Sequence, residues 1–259
     1  MQRQPWFEIH DSPWFPAYLR DLVTEALEAI WNTNRTYHPI AGRLREAIRR
    51  SGSQTVIDLC SGGGGPWPAL YDSIAEGQLL AVRLTDLYPH AGLAAAACDN
   101  SQAPPGISAC SQSVDARRVP EDLQGFRTIF SSFHHFDPEA ARAMLADAFK
   151  RREGIAVFEA ARRTPWTMLS VAGVAALSLR TALQSPVRPA RLLFTFLLPV
   201  IPLTLWIDGL LSCLRSYSLD DMRELTAGLT APDYAWDLGE EHSGTVPIRY
   251  LIGTPVRSA

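Results

Sequence analysis

"VIDLCSGGGGPWP", residues 56–68, decides how the chain folds. A short apolar run reaches Asp58, and four consecutive glycines, Gly62 to Gly65, follow almost at once. In a wound α/β sheet, ligands bind off the carboxyl ends of the strands. A glycine loop after the first strand lets a ligand approach the backbone without meeting a Cβ atom. A dinucleotide fingerprint would read G-x-G-x-x-G and open a helix whose amino end holds pyrophosphate. Here Pro66, Trp67 and Pro68 follow the glycines directly, which weakens that reading, and no Gly-Lys-Ser/Thr sequence makes a P-loop.

Around this stretch, short apolar runs alternate with helical ones. "TVIDL", "QLLAVRLTD", "ISACSQSVD", "FRTIFSS" and "GIAVFEA" read as strands, and "WPALYDSIA", "AGLAAAACD" and "PEAARAMLADAFKRR" as helices. That alternation predicts a parallel sheet wound by right-handed crossovers with helices on both faces. Residues 16–50 space their apolar side chains at three and four, the pattern of N-terminal helices, and break at Ser51, Gly52 and Ser53. The tail "DYAWDLGEEHSGTVPIRYLIGTP" reads as two more strands around a polar loop.

The glycine run resembles the first motif of the class I S-adenosylmethionine-dependent methyltransferases, D-x-G-x-G-x-G. Asp58, Gly62 and Gly64 match it, and Cys60 stands where the first glycine normally sits. The next elements match in order over roughly residues 50–160: Asp86 ends the second strand, where the family's acid accepts the ribose hydroxyls, and Asp115 follows the third, near the adenine. "FSSFHHFDPEAARAML" resembles the fourth-strand motif. The resemblance implies S-adenosylmethionine as cofactor. It implies a site of Asp58, Cys60, Ser61, Gly62, Gly63, Gly64, Asp86, Leu87, Asp115, Ala116 and Ser131. The expected fold is α/β, a doubly wound, mainly parallel seven-stranded sheet with N-terminal helices and a helical apolar insertion before the last two strands. Its divisions are an N-terminal cap over 1–50, a Rossmann-like core over 51–163 and 217–259, and a lid over 164–216. Asp115 also reads as an ordinary N-cap beside exposed arginines, and the residues do not choose.

Composition narrows the partner. With 24 basic against 27 acidic residues and no polybasic run, the chain carries no electrostatic footprint for nucleic acid, so a small molecule is expected. Cys60, Cys98, Cys110 and Cys213 lack paired spacing, and no metal-ligand cluster stands out. "MQRQPWFEIHD" lacks the basic and apolar regions of a signal peptide, which predicts a cytoplasmic protein.

The insertion bears on the acceptor. Leu192 to Ile207 is sixteen residues without a charge, short of the roughly 20 a spanning helix needs, and it is kinked by Pro199 and Pro202. It reads as a roof over an apolar or aromatic acceptor, or as a surface for peripheral membrane contact or homodimerisation. Acceptor contacts are expected from His10, Trp14, His134, Trp206, Arg215 and Tyr217. Candidates for a general base are His135, Glu159 and Asp208. Plainer roles stand beside these: a loop-building His134–His135 pair, a salt bridge from Glu159 to Arg162 or Arg163, and an Asp208–Arg215 ion pair. The alternative to an enzyme is a non-catalytic binder of S-adenosylmethionine or S-adenosylhomocysteine that docks through its apolar segment.

Overall fold

Seven strands form one sheet in the order β3-β2-β1-β4-β5-β7-β6. In the computed structural model, which describes residues 3–4, 6–89, 106–243 and 246–256, the strands are β1 Thr55–Leu59, β2 Ala81–Thr85, β3 Ile107–Ala109, β4 Phe126–Phe130, β5 Ile155–Glu159, β6 Tyr234–Ser243 and β7 Val246–Pro255. The first five pair in parallel; β7 runs antiparallel between β5 and β6. This is the topology the sequence predicts. The helix expected over "AGLAAAACD" lies outside the described residues.

The central strands are apolar on both faces because both faces are covered. Val56, Ala156 and Phe158 point into one core with Leu44, Trp67 and Leu70. Their neighbours Ile57, Leu59, Ile155 and Val157 point into the other, with Met144, Leu145 and Met222. The first core is closed by α2 (Ala41–Ser51) and α3 (Trp67–Ala75), the second by α4 (Pro138–Arg151) and α8 (Leu219–Thr226). Local chemistry sets the helix ends. The Asp137 carboxylate accepts from Ala140 N–H to start α4, and Ser218 and Asp221 form a reciprocal capping box on α8.

Helix α1 (Ala17–Thr33) touches the first core only at its end, through Trp31. It builds a third with the segment after β5, comprising α5 (Pro165–Thr181), α6 (Pro189–Leu192, running on as a π-helical turn over Leu193–Leu197) and α7 (Val200–Arg215). Phe15, Leu22, Val23, Ala26 and Ile30 pack there with Ala175, Ile201 and Leu205. The N-terminal helix and the insertion, read from sequence as separate pieces, thus share one core. Among the described residues no single helix is long and apolar enough to cross a membrane; Pro189–Leu197 and Val200–Arg215 form a pair bent by 68°.

Candidate functional site

The strand order reverses between β1 and β4, and the glycine turn sits at their carboxyl ends, at the crevice where doubly wound sheets bind ligands. Two non-glycine residues there are held in the left-handed region: Cys60 at φ 57° and Ser131 at φ 42°. Such positions cost of order 1–3 kcal/mol and cluster at functional sites. Cys60 therefore adopts a conformation suited to the glycine it replaces. Ser131 is pinned by Tyr37, whose hydroxyl lies 2.5 Å from its Oγ, and by the Ala160 N–H it accepts at 3.2 Å.

Asp58 braces the turn from below. Its carboxylate is 1% exposed and accepts from Thr128 Oγ at 2.5 Å and Ser61 Oγ at 2.7 Å. Burial pushes its pKa up to about 6 against the pull of those donors. Asp86 stands beside the turn, accepting from Gly62 N–H at 2.9 Å and Tyr88 N–H at 2.8 Å; burial raises its pKa too.

Above the glycines lies a residue the sequence reading passed over. A Cβ atom on Gly63 would fall 2.4 Å from Glu28 Oε2, and one on Gly64 3.1 Å from Oε1, so the Glu28 carboxyl of α1 rests on bare glycine backbone. Burial, helped by the charge of Glu25, raises its pKa to about 8. Its signal was faint: one acid in the helical pattern "TEALEAI".

The amino end of α3 explains the prolines. Pro66 and Pro68 have no N–H to offer, and Ala69 N–H is taken by Asn32 Oδ1 at 3.1 Å. The helix end thus offers a pyrophosphate fewer donors than an ordinary one.

Of the remaining cofactor candidates, Leu87 is exposed beside Asp86, and Ala116 is buried. The Asp115 carboxylate is held low by Arg117, which it grips through side chain and backbone on a partly exposed turn.

The candidates for base and acceptor contact gather into a second cluster, built where the N-terminal segment crosses the turn after β4. Glu159 is fully buried and accepts from His134 N–H at 3.2 Å and faces His134 Nδ1 at 2.7 Å. Its expected partners go elsewhere, Arg162 to Glu240 and Arg163 to Asp221. Asp208 does not pair with Arg215. It accepts from Ile9 N–H and His10 N–H and lies 2.8 Å from His10 Nδ1, while Arg215 donates to the carbonyls of His134 and His135. Two helical turns put the two residues on one face of α7, but the N-terminal segment that supplies the partners of Asp208 could not be placed from sequence. Tyr217 is buried with its hydroxyl on Phe136 O at 2.8 Å, so Arg215 and Tyr217 both hold the turn together. Trp14 and Trp206 point outward, 71% and 44% exposed.

Glu8 and Asp11 complete this cluster, and of the two Glu8 was not singled out in the sequence. Glu8 is buried, and although burial alone would raise its pKa, His135 and His134 hold it well below the usual range. Burial would lower His134, but Glu159 and Glu8 outweigh it and raise it to about 10. A cleft of about 540 Å³ lies at the opposite, amino edge of the sheet among Ser51, Gly125 and Gly154. It holds none of these groups.

No protein-family model matches the chain, and no curated protein matches it. Solved structures do. Human N-acetylserotonin methyltransferase in complex with S-adenosylmethionine superposes over 99% of this chain and 63% of its own length, with a TM-score of 0.52 at 13% identity. A protein from Nostoc punctiforme assigned provisionally as an O-methyltransferase matches over 97% of this chain and 64% of its own, at 0.50 and 12%. The chain has the class I methyltransferase fold. The fold reaches beyond methyltransferases: a Rhodobacter sphaeroides protein provisionally assigned as a zinc-dependent alcohol dehydrogenase matches over 92% of this chain and 98% of its own, at 0.50 and 15%. The chain spans 52–63% of the length of the first methyltransferases it resembles.

Proposed function

We propose that the chain transfers a methyl group from S-adenosylmethionine to a small, largely apolar or aromatic acceptor. One observation carries the choice of cofactor. The bare glycine turn is lined by carboxyls, Glu28 above and Asp86 beside it, and Pro66 and Pro68 at the nearby helix end supply no N–H donor. Such a site suits a cation and repels a pyrophosphate. S-adenosylmethionine carries a sulfonium and an ammonium; nicotinamide dinucleotides carry two phosphates. Bound there, the cofactor supplies an electrophilic methyl group. Asp86 keeps unused lone pairs for a diol, and Gly62 to Gly64 let the ligand lie against backbone.

The chain's remaining contribution is orientation and exclusion of water. Of the three base candidates, Glu159 and Asp208 are buried and each holds a histidine. His135 alone keeps a partly exposed side chain. The apolar roof expected over 164–216 is the source of the preference for an apolar acceptor.

The test is calorimetric titration with S-adenosylmethionine, S-adenosylhomocysteine and NADH, followed by a screen of phenols and aromatic acids with methyl-labelled cofactor. Asp86→Ala should weaken S-adenosylmethionine by about 1.5–3 kcal/mol, the range for a charge-assisted hydrogen bond. Affinity within twofold of the parent, with melting unchanged, would remove Asp86 from the site.

A second reading rests on the exposed apolar side chains of the insertion, Trp166, Leu169, Leu183, Leu197, Leu198 and Trp206. Apolar patches of this kind mark docking surfaces. In that reading the chain binds S-adenosylmethionine without turnover and docks through this face. Its expected signature is co-flotation with lipid vesicles or dimerisation, reduced by Leu197→Ser, with no methyl transfer to any acceptor. Turnover with a soluble acceptor would rule it out.

A further inference from the structure

Glu8, His134 and His135 each offer one ligand atom, and those atoms lie within 4.8 Å of one another. The arrangement around them is that of a coordination sphere. His134 Nδ1 faces Glu159 Oε2 at 2.7 Å and His135 Nδ1 faces Asp11 Oδ2 at 2.5 Å. With a metal bound, each ring would give its Nδ1–H to a carboxylate and present its Nε2 lone pair on the side of Glu8. A carboxylate behind the distal nitrogen is the usual way a protein fixes the tautomer and raises the basicity of a ligating histidine. The Glu8 carboxylate is itself held, accepting from Ser212 Oγ at 3.0 Å.

The spacing agrees. Nε2 of His134 lies 3.2 Å and Nε2 of His135 3.6 Å from the Glu8 oxygens. Donors about 2.0–2.1 Å from a tetrahedral ion are about 3.3–3.4 Å apart along an edge. Despite its 3.2 Å approach, the Nε2 of fully buried His134 makes no hydrogen bond of acceptable angle. A proton shared along that line is misdirected, whereas a metal off the line satisfies both atoms. Charge allows it too. The carboxyls of Glu8, Asp11, Glu159 and Asp208 outnumber the guanidiniums beside them, those of Arg215, whose Nη1 approaches Glu8 at 3.9 Å, of Arg3, which donates to His134 O at 3.1 Å, and of Arg20, which donates to His10 O at 2.7 Å. Two imidazoles and one carboxylate favour a borderline first-row ion over calcium or magnesium.

We infer that Glu8, His134 and His135 form a binding site for a divalent first-row transition ion, with Glu159 and Asp11 orienting the two histidines. The site joins the N-terminal segment to the turn after β4, and its outer side, at His135 and Asp11, lies close enough to Asp86 for their charges to bear on it. The inference rests on side-chain geometry and holds whether or not the chain transfers methyl groups.

Its test uses the full chain stripped with chelator and titrated with Zn²⁺ by calorimetry and with Co²⁺ by visible absorption. The expected result is one ion per chain, with Co²⁺ bands of four- or five-coordinate intensity. Affinity should fall at least tenfold in His135→Gln and in Glu8→Gln, while His38→Gln, at an exposed histidine remote from the cluster, binds as the parent does. His135 is only partly buried, so His135→Gln keeps the test readable should Glu8→Gln fail to fold. Asp11→Asn should also weaken binding by about tenfold, as loss of an orienting carboxylate does. Absence of a stoichiometric ion, or binding indifferent to His135→Gln, overturns the assignment.

Discussion

Gly64→Val should abolish S-adenosylmethionine binding, lowering affinity at least about 100-fold, while the protein keeps its fold and loses several degrees of melting temperature. Gly64 sits at φ +121°, where a β-branched residue is strained by of order 1–3 kcal/mol. A Cβ there also meets Glu28 Oε1 at 3.1 Å and Leu84 Cδ1 at 3.7 Å, so the new side chain enters the gap between α1 and the turn. The backbone must then leave the left-handed sequence that starts at Cys60, and the Gly62 N–H that steadies Asp86 moves with it. Gly42→Ala is the control. Gly42 lies within α2 with nothing within 4 Å of its Cβ position, so affinity should not change and stability should rise by up to about 1 kcal/mol. Calorimetry with a melting curve on each variant decides it. Unchanged affinity in Gly64→Val would separate the glycine turn from the cofactor.

How much of this was legible follows from the range of each signal. The glycine turn, Asp58, Asp86 and the capping box at Ser218 are local patterns, read from a few consecutive residues, and the sheet order followed from their sequence. The supports of the second cluster are not local. Asp208 meets His10 across 198 residues, and Glu8 meets Ser212 across 204. The helical period put Asp208 and Arg215 on one face, which made an ion pair the natural expectation. The N-terminal segment instead supplies Asp208 with its partners, and the turn after β4 supplies those of Arg215. In "WFEIHD" the aromatic Trp6 and Phe7 stay exposed, while Glu8, His10 and Asp11 carry the contacts.

The second cluster also explains why two strong acids at the sheet's carboxyl edge are poor candidates for proton transfer. Glu159 accepts from both the backbone and the ring of His134, and Asp208 accepts two backbone N–H groups and faces the ring of His10. Their lone pairs are committed, and protonating either one would leave buried donors without acceptors, a cost of about 1–3 kcal/mol each. The same commitments tie residues 8–11 to α7 and to the turn after β4, so removing the N-terminal segment should expose buried charge at several points together.

Glu28→Gln should stabilise the free protein and weaken its cofactor, and the opposition of the two effects makes the prediction specific. The Glu28 pKa rises from 4.5 to about 8 on folding, chiefly by burial. Between those values the folded chain binds more protons than the unfolded chain, so stability falls as pH rises and levels off above about 8. Glutamine does not ionise. Its advantage should be near zero at pH 4.5 and grow to about 2 kcal/mol by pH 9, at roughly 1.4 kcal/mol per pKa unit after allowance for partial exposure. Denaturant melts across that range measure it. Against this gain, a carboxylate facing a cationic ligand contributes about 1.5–3 kcal/mol, so S-adenosylmethionine should bind more than tenfold more weakly to Glu28→Gln. A second readout separates a direct contact from a general loosening of α1. Glu28 must ionise to pair with the cofactor, so binding at pH 6.5 should release a proton in the parent, seen as a dependence of the calorimetric enthalpy on buffer ionisation, and none in the variant. Weaker binding with the same proton release would place Glu28 in the support of α1 and take it out of contact with the ligand.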